Sequence, residues 1–122
     1  MSPRAEKQRL EDILERIERI ERIERIEFAE TALLEAEEDD HWEAASVAFD
    51  AILYNLMVIG EAVKALGLEL KARNGMTPWI DIAGMRDILT HHYFRVDGNV
   101  VRATLDAPLS NLRNSCQAEM DS

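Results

Sequence analysis

From Leu10 onward, apolar residues recur at steps of three and four, and Leu10, Ile13, Leu14 and Ile17 share one helical face. This spacing predicts a helix over residues 6–28. After Ile17 the triplet Glu-Arg-Ile repeats three times through Ile26. A three-residue step falls about 60° short of a full turn, so Ile17, Ile20, Ile23 and Ile26 wind around the helix. They cannot all face one intramolecular core, which calls for a second buried side or a subunit interface. Asp12–Arg16, Glu15–Arg19, Glu18–Arg22 and Glu21–Arg25 are acid-to-base pairs at i,i+4 that support the helix on a solvated face.

The acidic stretch 35–40 reads as a turn or frayed helix end. A second helix is expected over 41–72, with Ala45, Ala48, Phe49, Ile52, Leu53, Leu56, Ile59, Val63 and Leu66 in a wide apolar stripe. Its middle is apolar nearly all round, which places it at the centre of a bundle. Gly60 interrupts it at a cost of about 1 kcal/mol against Ala, so close approach of another backbone is expected there. Asn55 and Glu61 read as satisfied buried polar groups or surface positions. Asn74-Gly75 is a helix C-cap, and Thr77-Pro78 opens a helix over 78–89 with Thr77 as N-cap. Asp97 caps a last helix running to about Cys116, which Pro108 should kink or split. No alternating strand pattern of useful length occurs. The expectation is all-α: an antiparallel up-down bundle of four to five helices in a single domain, 1–122, with residues 1–5 and 117–122 as frayed tails.

Composition narrows the class. Apolar residues make up 47% and charged residues 31% of 122 residues, a globular balance in one domain. The one cysteine, Cys116, excludes an intrachain disulfide and is compatible with a reducing cytoplasm. The N-terminus shows no signal peptide, and the apolar stretch Ala51–Gly60 is too short for a bilayer, so a cytoplasmic location is expected. A net charge of −10 argues against general nucleic-acid binding, since phosphate affinity comes from Lys and Arg. Yet between Arg86 and Arg102 three Arg and two His face only two Asp, a locally cationic spot.

That spot holds Arg86-Asp87-Ile88-Leu89-Thr90-His91-His92-Tyr93, an R-x4-H-x-Y pattern. Arg holds a phosphate bidentately, His moves protons near neutral pH, and Tyr can stack on a base or accept a group. On a straight helix Arg86 and Tyr93 share a face, while His91 lies about 140° from Arg86. Convergence requires the helix to loosen or end near Thr90–His91, with Arg86 and Asp87 on the helix and His91 to Tyr93 at its end. His92 then points elsewhere. By residues alone, a surface ion pair and a polar helix end account for the pattern equally well.

Several separated runs occur in order: Val58 to Lys64, Pro78 to Phe94, and Val96-Asp97. Together they resemble the HepT-like branch of the HEPN domains, small all-helical toxins of prokaryotic toxin–antitoxin pairs. The resemblance spans about Leu10 to Leu112. It implies a homodimeric, metal-independent endoribonuclease with two R-x4-H motifs facing each other and no cofactor. Carried over, Arg86 stabilises the scissile phosphate, His91 is general base or acid, and Asp87 orients either of them. Arg86, His92 and Arg95 would bind an RNA substrate such as tRNA or mRNA. Tyr93 matches the tyrosine adenylylated by the partner antitoxin, a minimal nucleotidyltransferase of the MntA type. The competing reading is a non-catalytic nucleotide-binding or substrate subunit of a nucleotidyltransferase complex.

Overall fold

The computed structural model describes residues 2–35, 41–91, 96 and 98–122, with side chains described over 2–26, 46–91, 96 and 98–122. Six helices occur among the described residues: α1 (Pro3–Glu35), α2 (His41–Ala65), α3 (Leu68–Arg73), α4 (Trp79–His91), α5 (Gly98–Leu105) and α6 (Ala107–Met120). They form an all-α bundle with α2 packed between α1 and α4, and with α6 against α1 and α5. Helices α1 and α2 are antiparallel: Glu6 binds the Gly67 N–H near one end, and Arg16 reaches Asn55 further along.

The core follows the apolar faces. Leu10, Ile13, Ile17 and Ile20 of α1 meet Ile52, Leu56, Ile59 and Val63 of α2, closed by Ile82, Met85 and Leu89 of α4 and by Leu109, Leu112 and Cys116 of α6. The Glu-Arg-Ile row winds as expected: Ile17 and Ile20 are buried, Ile23 is half-buried, and Ile26 is 59% exposed. Ile17 and Ile20 lie in the core, Ile23 packs against its edge and Ile26 is turned out, because each further triplet rotates the side chain away. Of the four expected i,i+4 pairs, Glu15–Arg19 closes at 2.8 Å. Glu21 pairs instead with Arg113 of α6, and Arg16 turns toward α2.

Several boundaries differ from the sequence expectation, beginning with α1, which runs to Glu35 instead of ending near residue 28. Helix α2 ends at Ala65, not near Ala72. The apolar stripe continues through Leu66 and Leu70, so periodicity alone sees one helix. The break occurs where the Glu6 carboxylate of α1 captures the Gly67 N–H at 3.0 Å. The last helix splits at Asp106, with Pro108 in the first turn of α6, as a proline inside a helix demands. These two splits set the short α3 and α5 beside the longer helices of the expected all-α bundle. Helix also continues into the expected tails. Pro3–Ala5 open α1, and residues 117–120 close α6, where Glu119 is tied to Arg73 and Asn74.

Thr77 is not a side-chain cap. It is buried, and its hydroxyl donates to the Asn111 carbonyl and pairs with Ser115 at 2.6 Å, fastening the start of α4 to α6. Asn74 is the C-cap of α3, as expected. The stretch Ser46–Ala65, of mean hydropathy 1.5, has the length and composition of a membrane span, twice the apolar stretch expected from sequence. Its place as the central helix of the bundle accounts for that composition. Burial pushes the Cys116 thiol up to about 12, so it packs as a small apolar group. Residues 36–40 of the acidic stretch and Asp97 lie outside the described residues.

Candidate functional site at the crossing of α2 and α4

Gly60 lets α4 come close. A Cβ on Gly60 would collide with the Cβ of Arg86 and sit 3.3 Å from its Cα. The close approach inferred from the sequence is therefore met by Arg86 itself. No larger residue on α2 leaves room for Arg86 at this depth, so Gly60 is the element of the sequence that positions the arginine.

The Arg86 side chain is 29% exposed and its guanidinium is held by two carboxylates. Its Nε forms an ion pair with Glu61 Oε2 at 2.8 Å, and its Nη1 donates to Asp87 Oδ1 at 3.1 Å. Asp87 Oδ1 also accepts from Lys64 Nζ at 2.7 Å. Glu61 and Lys64, one turn apart on α2, thus frame Arg86 and Asp87 on α4. The hydrogen bond from Lys64, and then that from Arg86, hold the Asp87 carboxyl below the usual carboxylate range. Asp87 therefore stays an anion that aims the arginine. The sequence placed Glu61 as a surface or satisfied group and gave Lys64 no role. The signal for both was their i,i+3 spacing beside Gly60.

Helix α4 does not loosen before His91. The Thr90 hydroxyl donates to the Arg86 carbonyl at 2.8 Å, within a helix whose last residue is His91. His91 is exposed and keeps its separation of about 140° from Arg86. The helix ends at His91, where the sequence placed its end, and up to that point the backbone ladder and Thr90 keep the last turn closed. His92, Tyr93 and Arg95 lie outside the described residues.

Arg86 and Thr90 form one wall of a groove of about 520 Å³. The floor and opposite wall come from Tyr54 and Met57 of α2 and from Arg9 and Arg16 of α1. The Arg16 guanidinium lies 5.6 Å above the centre of the Tyr54 ring and donates to Asn55 Oδ1 at 3.3 Å. Asn55, buried, donates in turn to the Ala51 carbonyl at 2.8 Å, so it is a satisfied buried polar group. Sequence reading missed this groove, since Arg16 and Tyr54 meet only when α1 packs on α2. Among the described residues, no three His, Cys, Asp or Glu gather as metal ligands.

Comparison with known proteins gives a consistent picture. The family model described as "Ribonuclease HepT-like" matches residues 10–119. The chain is 34% identical over 110 residues to "Probable ribonuclease HepT" of Thermococcus cleftensis, covering 90% of this chain and 91% of that protein. It is 44% identical over 55 residues to "Putative RNase TTE0752" of Caldanaerobacter subterraneus, covering 45% of this chain and 49% of that one. It is also 40% identical over 60 residues to "Gamma-glutamylcyclotransferase and putative RNase MJ0434" of Methanocaldococcus jannaschii, covering 49% of this chain and 27% of that one. The matched stretch thus spans about half the length of the Caldanaerobacter relative and about a quarter of the Methanocaldococcus one. No solved structure matches the chain.

Proposed function

The chain belongs to the ribonuclease HepT-like family, and from that premise we propose that it is the endoribonuclease toxin of a toxin–antitoxin pair. The observation that carries this is the seating of Arg86 against Gly60, with Asp87 and Glu61 aiming its guanidinium. Arg86 grips the scissile phosphate. A ribose 2′-hydroxyl gives up its proton and attacks the adjacent phosphorus. The bond to the 5′-oxygen breaks, and that oxygen leaves with a proton. His91 takes or gives one of these protons. The products are a cyclic phosphate and a free 5′-hydroxyl, with every atom accounted for and no metal called upon.

Because Arg86 and His91 of one chain lie about 140° apart on α4, a homodimer supplies what one copy lacks. Two R-x4-H motifs facing across a cleft let the arginine of one copy act with the histidine of the other, and they double the local positive charge of an acidic chain. Tyr93 is the acceptor for AMP from a nucleotidyltransferase antitoxin. The added phosphate brings bulk and negative charge to the motif, which repels an anionic substrate.

Expression of the chain alone, beside Arg86→Ala and His91→Ala, tests the reading. Growth arrest by the parent and relief by each variant are expected; full toxicity in both variants removes the assignment. Cleavage by the purified protein should persist in EDTA, and loss that Mg²⁺ restores would show a metal-dependent reaction. A second reading, the non-catalytic substrate subunit of a nucleotidyltransferase, is favoured by the two carboxylates already paired with Arg86. It requires AMP transfer without RNA cleavage.

A further inference from the structure

The groove beside Arg86 is larger than a single phosphate needs. At about 520 Å³ it falls in the size range of small-ligand sites. We propose that it is the subsite for the nucleotide flanking the phosphate held by Arg86, with the base stacked at the Tyr54–Arg16 pair; this rests on the ribonuclease reading above.

Tyr54 is 55% exposed although it stands on the central helix of the bundle. Its ring and the guanidinium over it are the two planar surfaces that take an unstacked base. The platform is built rather than incidental. Arg16 forgoes the expected tie to Asp12, which accepts from Gln8 at 3.1 Å instead. Arg16 is held by Asn55, a residue 5% exposed that is itself anchored to Ala51. A long, mobile side chain is thereby fixed above the ring.

Position and charge fit the same occupant. Tyr54 and Glu61, the partner of Arg86, are seven residues apart, two turns and roughly 10 Å along one face of α2. The groove therefore leads from the aromatic platform to the phosphate-gripping arginine. Arg9 and Arg16 line its α1 side and supply charge for a second phosphate. Asp12 and Glu15, on the same side, can accept from the amino groups of a base. One nucleotide offers anion, amine and ring together. A duplex offers a dense phosphate array with its bases already stacked, which these carboxylates disfavour. The substrate class is single-stranded RNA.

The test is binding of a short dye-labelled 2′-O-methyl oligoribonucleotide, which has no 2′-hydroxyl to attack, followed by fluorescence anisotropy. Tyr54→Ala should weaken binding roughly 5- to 100-fold, the loss typical of one stacked base. Tyr54→Phe should bind like the parent, because the ring carries the stacking. Tyr54 is exposed enough for either variant to fold, which circular dichroism verifies. If Tyr54→Ala binds like the parent while Arg86→Ala is weakened, the subsite is wrong and the ribonuclease reading stands. If Tyr54→Phe is as weak as Tyr54→Ala, stacking is likewise excluded. If the parent does not bind, or Arg86→Ala changes nothing, the ribonuclease reading fails and the subsite with it.

Discussion

At Arg86, the Nε and Nη1 sides of the guanidinium already pair with Glu61 and Asp87. Among the described residues the Nη2 donors have no such partner, so a phosphate can be gripped without breaking either pair. Lysine cannot do both, since it offers a point charge in place of a planar fork. Arg86→Lys should therefore recover little of the RNA cleavage lost in Arg86→Ala, measured as an initial rate on a labelled RNA. His91→Ala should lower that rate by about 10²- to 10⁴-fold, the usual worth of one proton-transfer group. Glu119 offers a check outside the site. Hydrogen bonds from Arg73 and then Asn74 hold its carboxyl below its ordinary 4.5. A lowered carboxylate stabilises the fold above its ordinary value and loses that contribution as pH falls through the lowered one. Urea denaturation should thus find Glu119→Gln weaker than the parent at neutral pH and equal to it well below pH 4.5.

Helices α2 and α4 set how closely the site is built. Gly60→Ala removes a helix-interior glycine, which by propensity alone stabilises by about 1 kcal/mol. Against that stands a collision with the Cβ of Arg86, where neither helix backbone yields easily. Overpacking typically costs about 1–3 kcal/mol, so the clash wins. Urea denaturation should show net destabilisation of up to about 2 kcal/mol, and cleavage should fall further than stability because Arg86 is displaced. Increased stability with unchanged cleavage would mean that the crossing is loose. Most of this scaffold was legible as periodicity, since an apolar face at steps of three and four has one simple solution. The break after Ala65 was not, because Leu66 and Leu70 continue the stripe while the deciding interaction comes from Glu6, sixty-one residues away.

Across the whole molecule the charge is uneven. Residues 1–40 hold 14 of the 24 acids and 7 of the 14 bases, most of them on α1. Such a chain gains little from general phosphate attraction and depends on local arginines, so in the proposed mechanism a single added AMP suffices to silence it. Intact mass after co-expression with the adjacent gene product should rise in AMP steps, and peptide mapping should place them on Tyr93. Tyr93→Phe should stay unmodified; full labelling of that variant would put the acceptor elsewhere. No added mass on the parent would shift inhibition to plain complex formation.

By itself, the sequence determined the helices, the central place of α2, the winding of the isoleucine row and the chemistry-bearing pattern from Arg86 to Tyr93. These follow from the period of an α-helix and from residue type, both local in the chain. Only the tertiary structure decided that Gly60 seats Arg86, that Glu61 and Lys64 join Asp87 around it, and that Arg16 leaves its own helix to lie over Tyr54. Each of these joins residues on different helices. A helix's own period says which side chains share a face, but not which partner that face will meet or at what depth.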